Sequence, residues 1–337
     1  MKLRVAVLYG GRSGEHEISL RSAESIIGAM DPAKYEVQRI LITQEGRWEP
    51  RAISPDPAGN PGIDVVFPVL HGTFGEDGTV QGLLELADLP YVGAGVLASA
   101  VSMDKEIMKR LCSEHGLPVA EYFTLHLEDL QGKDDSLDRI CSRLPFPMFV
   151  KPANLGSSVG ISKVKTRHEL KMALEFAARF DRKILVERGI AGREFECSVL
   201  GNQSPAAAIP CEVLPSREFY DYEDKYILGT SRTVLPADLT PDQTKEIQRL
   251  AVACYEAVEC EGMARVDFLM EAATGKLFVN EINTIPGFTS ISMYPKMWEA
   301  AGLPYAKLID RLIELALERH KRRQATAYTR DANVSNS

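Results

Sequence analysis

Apolar positions along this chain switch repeatedly between short runs and a helical period, and that switching is the first structural signal. Residues 3–9 form an apolar run closed by Gly10-Gly11, which predicts a buried strand. Residues 17–30 carry apolar positions at helical spacing, residues 37–42 and 64–70 read as two further strands, and the last of these ends in His71-Gly72 before a helix over about 79–89. Strands that alternate with helices predict a parallel sheet, and glycine at two strand ends marks the side where such sheets bind ligands. This first unit spans residues 1 to about 102.

A polar helix over 103–115 follows, and then Pro118 and a mixed region in which residues 184–187 read as a strand. Strands at 193–201 and 206–214 lead into a polar, Tyr-rich segment at 216–235. Pro241 opens a helix to about 259, because proline suits the first helical turn. Two strands, 264–270 and 276–283, precede a last helix to about 319. The end of the chain reads as a disordered tail, with the basic run His320 to Arg323 as a solvated helix end.

Composition narrows the classes. With 337 residues, 45% hydrophobic, the chain has enough apolar content for two or three domains. Its formal net charge of -8 argues against nucleic acid as the main partner. The longest nearly apolar stretch, 91–101, is too short to span a membrane, and the N-terminus lacks a signal-peptide pattern. Six dispersed cysteines contain no C-x-x-C pair, so they read as buried reduced thiols in a cytoplasmic protein.

The densest chemistry is the strand pair at 264–283. Side chains alternate across a strand, so Arg265 and Asp267 share one face, as do Glu281 and Asn283. A turn centred near Thr274 sets Asp267 opposite Glu281 and Arg265 opposite Asn283. Opposed carboxylates destabilise a sheet unless a cation joins them, and an all-oxygen set suits Mg²⁺ or Mn²⁺. The other reading is a solvated face with Arg265 as counter-ion.

Three glycine-rich segments add to this. Lys151-Pro152 leads into Asn154-Leu155-Gly156-Ser157-Ser158-Val159-Gly160, a small-residue loop suited to phosphate or, failing that, a surface turn. No G-x-x-x-x-G-K-[ST] run is present. Residues 10–17 fail the dinucleotide spacing, but Glu15 near a helix start suits an ammonium group or is simply helix N-terminal charge. Residues 71–79 form either a backbone-approach loop or a cap for the next helix through Asp77.

Taken in order, GGRSGEHEIS at 10–19, HGTFGEDGTVQG at 71–82, VGAGVLASAVSMDK at 92–105, VKPANLGSSVGISKV at 150–164, FYDYEDKY at 219–226, ARVDF at 264–268 and NEINTIPGFTSISMYP at 280–295 resemble the D-alanine–D-alanine ligase family. The resemblance runs from about residue 3 to 318. It implies an α/β protein with an N-terminal Rossmann-like domain (1–102), followed by a two-part ATP-grasp fold (103–189 and 190–320) and a tail at 321–337.

The resemblance also implies roles. Lys105, Lys151, Ser157, Ser158 and Lys225 would serve the ATP phosphates, Glu187 the adenine hinge and Glu194 the ribose. Asp267, Glu281 and Asn283 would hold two Mg²⁺ or Mn²⁺ ions. Glu15 and His71 would serve the first D-alanine, and Ser292 and Met293 the carboxylate of the second. Arg265 and the Gly287 N–H would hold an oxyanion, while Tyr226 would link through Ser157 to Glu15. The implied product is D-alanyl-D-alanine for peptidoglycan and hence cell shape, made by a homodimer with no membrane or nucleic-acid partner. A D-alanine–D-lactate ligase, or another ATP-grasp carboxylate–amine ligase, is the alternative.

Overall fold

The computed structural model describes residues 1–130, 134–157, 159–214 and 232–327. The N-terminal part contains β1 (Leu3–Gly10), α1 (His16–Ala29), β2 (Tyr35–Ile42), β3 (Trp48–Glu49), β4 (Val65–Val69), α2 (Thr79–Leu86) and α3 (Val96–Met103). Its sheet has the order β3-β2-β1-β4, with β1 parallel to both β2 and β4. The central strand is apolar throughout because both its faces are covered. Ala6 and Leu8 face a core with Val80 and Leu84 of α2. Val5 and Val7 face a core that includes Ala23 and Ile26 of α1.

The polar helix expected over 103–115 begins at Asp104 instead. That side chain accepts from the Glu106 and Ile107 N–H groups and caps α4 (Lys105–Glu114). The cap places Lys105 in the first turn and Lys109 one turn beyond it on the same face.

The central part comprises β5 (Tyr122–His126), α5 (Leu127–Leu130), α6 (Asp134–Arg143), β6 (Met148–Pro152), β7 (Ser162–Val164), α7 (Arg167–Ala177) and β8 (Lys183–Arg188). These strands pair antiparallel in the order β5-β8-β6-β7. The last part begins with β9 (Gly192–Gly201), β10 (Ala206–Ala207) and β11 (Cys211–Leu214). The single strand expected over 206–214 is therefore two strands, broken where Pro210 has no N–H to give to a ladder. β12 (Arg232–Val234), α8 (Pro241–Ala257), β13 (Gly262–Glu271), β14 (Leu277–Asn283), α9 (Met293–Ala300) and α10 (Tyr305–Gln324) complete it. Its sheet order is β12-β11-β9-β13-β14, with β10 on β9. A mainly parallel sheet, with only β3 antiparallel on β2, followed by two antiparallel sheets is the fold class the sequence implies.

Two expectations about the C-terminus change. Helix α10 runs past residue 319 to Gln324, and its basic end is solvated only in part: Lys321 is exposed, but its neighbours are paired. Arg319 donates to the Tyr91 carbonyl at 2.8 Å and also to that of Gly93. Arg322 pairs with Glu261, and Arg323 with Glu85 and Asp88. These contacts fix the far end of the chain to the first domain. The core there is continuous: Leu308, Ile309, Leu312 and Ile313 of α10 share a cluster with Val5, Val7, Val65 and Phe67.

All six cysteines are free and all but Cys141 are buried, as expected of reduced thiols. Among the described residues no helix is long and apolar enough to cross a membrane.

Candidate active site

The hairpin of β13 and β14 sets Arg265 opposite Asn283 and Asp267 opposite Glu281, the pairing the alternation predicts. It does so through a compensation. Nearer the turn, Phe268 faces Val279 and Leu269 faces Phe278, so the register is offset by one residue and a bulge at Asn280 restores it. Strand β9 adds Glu196 directly opposite Asp267 on the other side. Three carboxylates, Glu196, Asp267 and Glu281, thus form one row across three strands.

Arg265 supplies the positive charge in this row. Its Nε lies 2.7 Å from Asp267 Oδ1 and its terminal nitrogen 2.6 Å from Asp267 Oδ2, a two-pronged contact. The same Nε is 3.4 Å from Glu196 Oε1. Burial pushes the Asp267 carboxyl well above the usual carboxylate range; Arg265 opposes this, while Glu196 and Glu281 add to it. The donors of this row are hard oxygens, as Mg²⁺ or Mn²⁺ requires. Among the described residues no three His, Cys, Asp or Glu side chains make a complete cage. Asp267 and Glu281 with the Asn283 amide, which donates to Asp267 Oδ2 at 3.2 Å, are a partial set of the kind that phosphate oxygens and water complete.

Two cavities meet here. One, of about 80 Å³, is lined by Glu15, His71, Arg265, Asn283 and Gly287, among others. The second, of about 120 Å³, lies between the two antiparallel sheets and is lined by Phe149, Lys151, Glu187, Ile190, Glu194 and Asp267, among others. Lys105, Gly156, Ser157 and Glu281 line both.

Glu15 closes the smaller cavity. It precedes α1, and its carboxylate accepts from Ser157 Oγ, the contact the sequence reading anticipates. Ser157 has a left-handed backbone (φ 51), uncommon for a residue with a side chain. Gly72 (φ 71) passes so close that an added Cβ would lie 2.6 Å from Glu15 Oε2. This explains a glycine after the strand end at His71. Beneath them His71 is buried, its Nδ1 3.0 Å from the Ile285 carbonyl and its Nε2 3.2 Å from Ser22 Oγ. Burial opposes charge on His71, but Glu76, 3.9 Å away, outweighs it and raises the pKa.

Ser292 precedes α9 without a capping side-chain bond to it, and its Oγ instead accepts from the Thr289 N–H at 3.0 Å. It lies beside Gly287, whose added Cβ would be 2.7 Å from Ser292 Oγ. The Met293 side chain is buried in the core, so only its backbone N–H, in the first turn of α9, is suited to receive a carboxylate. Lys105 Nζ donates to the Leu155 carbonyl at 2.6 Å and so ties α4 to the small-residue loop.

Comparison with known proteins decides among the ligases. Residues 111–314 match the family model described as "D-ala D-ala ligase C-terminus", and residues 4–61 and 50–94 match "D-ala D-ala ligase N-terminus". The chain belongs to the D-alanine–D-alanine ligase family. Within it, the chain is 65% identical over 330 residues to a D-alanine–D-alanine ligase of Solibacter usitatus (strain Ellin6076), covering 98% of this chain and all of that one. It is 49% identical to one of Thermoanaerobacter sp. (strain X514), covering 95% and 98% of the two chains. Among solved structures it resembles the D-alanine–D-alanine ligase from Coxiella burnetii at 42% identity, TM-score 0.85 and 96% of each chain. It also resembles the VanG D-Ala:D-Ser ligase from Enterococcus faecalis at 35% identity, TM-score 0.86, over 94% of this chain and 100% of that one.

Three residues at this D-alanine–D-alanine ligase-like site escaped the sequence reading. Glu76 sits against His71, and its N–H partner is Gly72 at 3.0 Å. Glu196 faces the hairpin, and the period-two spacing from Glu194 was the available signal. Lys109 pairs with Glu187 at 2.7 Å, and its place four residues after Lys105 was the signal there. Ser158, Lys225 and Tyr226, and with them most of the 216–235 segment, lie outside the described residues.

Glu187 is brought to the cavity wall with its carboxylate between Lys109 and Lys151. Burial alone would raise its pKa, but the two lysines overcome that and hold it at about 2. The sign follows from a folded value below the unfolded one. The stability this residue contributes is fully present above the unfolded pKa of 4.5 and is lost as pH falls through about 2. Acid unfolding followed by circular dichroism should therefore be less steep between these values in Glu187→Gln than in the wild type. An identical slope would refute the assignment.

Proposed function

We propose that the chain joins two D-alanine molecules into D-alanyl-D-alanine at the expense of ATP, through an acyl phosphate. The observation that carries this reading is the wall shared by the two cavities. A nucleotide in the larger one delivers its terminal phosphate past Lys105, Ser157 and Glu281 onto whatever Glu15 holds in the smaller.

A carboxylate carbon is a poor electrophile, so the first D-alanine must be activated. Its ammonium group meets Glu15, with His71 beneath, and its carboxylate oxygen attacks the γ-phosphorus of ATP. The new O–P bond forms as the bond to ADP breaks. Lys105 and Lys151 hold the phosphates, a task of positioning and charge. Asp267, Glu281 and Asn283 would hold Mg²⁺ or Mn²⁺, which supplies positive charge to the phosphate oxygens when bound. Glu194 faces the ribose, and Glu187 stands at the adenine hinge with Phe149 and Ile190 as the apolar wall.

The free amine of the second D-alanine then attacks the acyl carbon, with its carboxylate at Ser292 and the Met293 N–H. Arg265 and the Gly287 N–H receive the oxyanion of the tetrahedral intermediate, which collapses by releasing phosphate, and the phosphate takes up the proton that the attacking amine gives up. The free buried thiols fit a cytoplasmic setting.

The test is phosphate release from ATP with D-alanine, and mass analysis of the product with D-alanine, D-serine and D-lactate offered together. D-Alanine-dependent release with D-alanyl-D-alanine as the main product is expected at neutral pH. Release independent of D-alanine, or a depsipeptide or serine dipeptide as the main product, would overturn it. The acyl phosphate must also be kept from water. Amide exchange at residues 154–157 should slow markedly when ADP, Mg²⁺ and a phosphinate mimic of the acyl phosphate bind. Equal exchange with and without them would exclude closure of this loop.

A further inference from the structure

Lys109 belongs to no step described so far, yet it is among the most deeply placed charges in the protein, at 1% exposure. Its Nζ is 2.7 Å from Glu187 Oε1, an ion-pair contact, and neither atom has a hydrogen-bond partner among the described residues. The other oxygen of Glu187 meets Lys151 Nζ. Lys151 and Glu187 line the larger cavity and Lys109 does not. Three charges, positive, negative and positive, therefore run from the interior to the cavity wall.

A buried ammonium is costly, and a side chain such as methionine fills similar space without that cost. The charge therefore calls for a reason beyond packing. Without Lys109, Glu187 and Lys151 would form a closed pair. A phosphate drawing on Lys151 would then leave Glu187 buried, ionised and without a partner. With Lys109 behind it, Glu187 keeps a counter-ion while Lys151 turns outward.

We propose that Lys109 is a positioning residue that holds the Glu187 carboxylate from the interior side, so that Lys151 is released to the phosphates of the nucleotide. This rests on the reading of the larger cavity as the ATP site. It separates the two lysines of α4 by function: Lys105 faces the phosphate loop directly, and Lys109 acts one residue removed, through Glu187 on Lys151.

The test is calorimetric titration of the full chain with MgADP and with adenosine, which lacks the phosphates. Lys109→Met should weaken MgADP binding by roughly tenfold or more while adenosine binding changes by less than about twofold. Lys109→Arg, which keeps the charge, should retain most MgADP affinity. Removing the carboxylate should remove the need for Lys109, so Lys109→Met/Glu187→Gln should bind MgADP within about threefold of Glu187→Gln alone. An equal loss of MgADP and adenosine binding, unchanged MgADP affinity in Lys109→Met, or a double variant clearly weaker than Glu187→Gln would each overturn the proposal. If Lys109→Met does not fold, the comparison of Glu187→Gln with the double variant decides alone. Failure of the wild type to bind MgADP would overturn the ATP reading and this inference with it, whereas binding by the wild type with no effect of Lys109→Met would overturn this inference only.

Discussion

Glu281→Gln is expected to abolish most turnover while leaving the ligand-free protein at least as stable as the wild type. The two halves have one cause. In the ligand-free protein Glu281 faces Asp267 across the hairpin, in a row that also contains Glu196. Like charges opposed on a sheet destabilise it, so neutralising one relieves the row. On the proposed function that negative charge would attract the divalent cation and, through it, the phosphates. Its loss should lower kcat by on the order of 10³-fold or more, the range reached when charge stabilisation of a transition state is removed. The measurement is initial rate at millimolar Mg²⁺, beside thermal unfolding with and without MgADP. The variant should melt at or above the wild-type temperature without ligand and gain much less from MgADP. Near wild-type turnover would end the assignment of the hairpin as the cation site. A large drop in ligand-free stability would show instead that Glu281 is a structural residue.

Arg265 is expected to show the opposite pairing of effects. It is the counter-ion of Asp267 and lies 3.4 Å from Glu196, and it lines the cavity where the acyl carbon would sit. Arg265→Met removes the cation that both partly buried carboxylates share and should cost roughly 3–5 kcal/mol of stability as well as activity. Arg265→Lys keeps the charge but loses the planar fork that reaches Asp267 and an oxyanion together. It should retain most of the stability yet lower kcat by about 10²–10³-fold, as loss of one oxyanion donor does. Thermal unfolding of both variants together with kcat and KM for D-alanine separates the two functions. If Arg265→Lys turns over at the wild-type rate, Arg265 is only a counter-ion.

The hairpin shows how far the sequence could be read, and why. The facing of Asp267 and Glu281 depends on a period of two and a turn of known composition, both local. The bulge at Asn280 is not local: it reconciles a turn half a residue out of phase with the pairing beyond it. The expected pairing was therefore right for an incomplete reason. The glycine at residue 72 was legible as a close approach, but its partner Glu15 lies on another strand's loop and follows only from the fold. Partner choice by charged groups was the least legible. Nothing in α4 or β8 alone says that Lys109 and Glu187 meet, and the basic end of α10 read as solvated because its partners Glu85, Asp88 and Glu261 are far away in sequence.

The core shared by α10 and the first sheet has a consequence for biosynthesis. One face of β1 and β4 is completed by Leu308, Ile309, Leu312 and Ile313, which are synthesised after both antiparallel sheets. At roughly 5–20 residues per second, about 200 residues separate the end of the first domain from these side chains, an interval on the order of 10–40 s. For that time Val5, Val7, Val65 and Phe67 have one half of their packing and not the other. The nascent first part of the chain is then a sheet with one apolar face only partly covered, by α1, the kind of surface that chaperones bind. Strands β1 and β4 thus reach their final packing only after α10, far later in the chain, has been made.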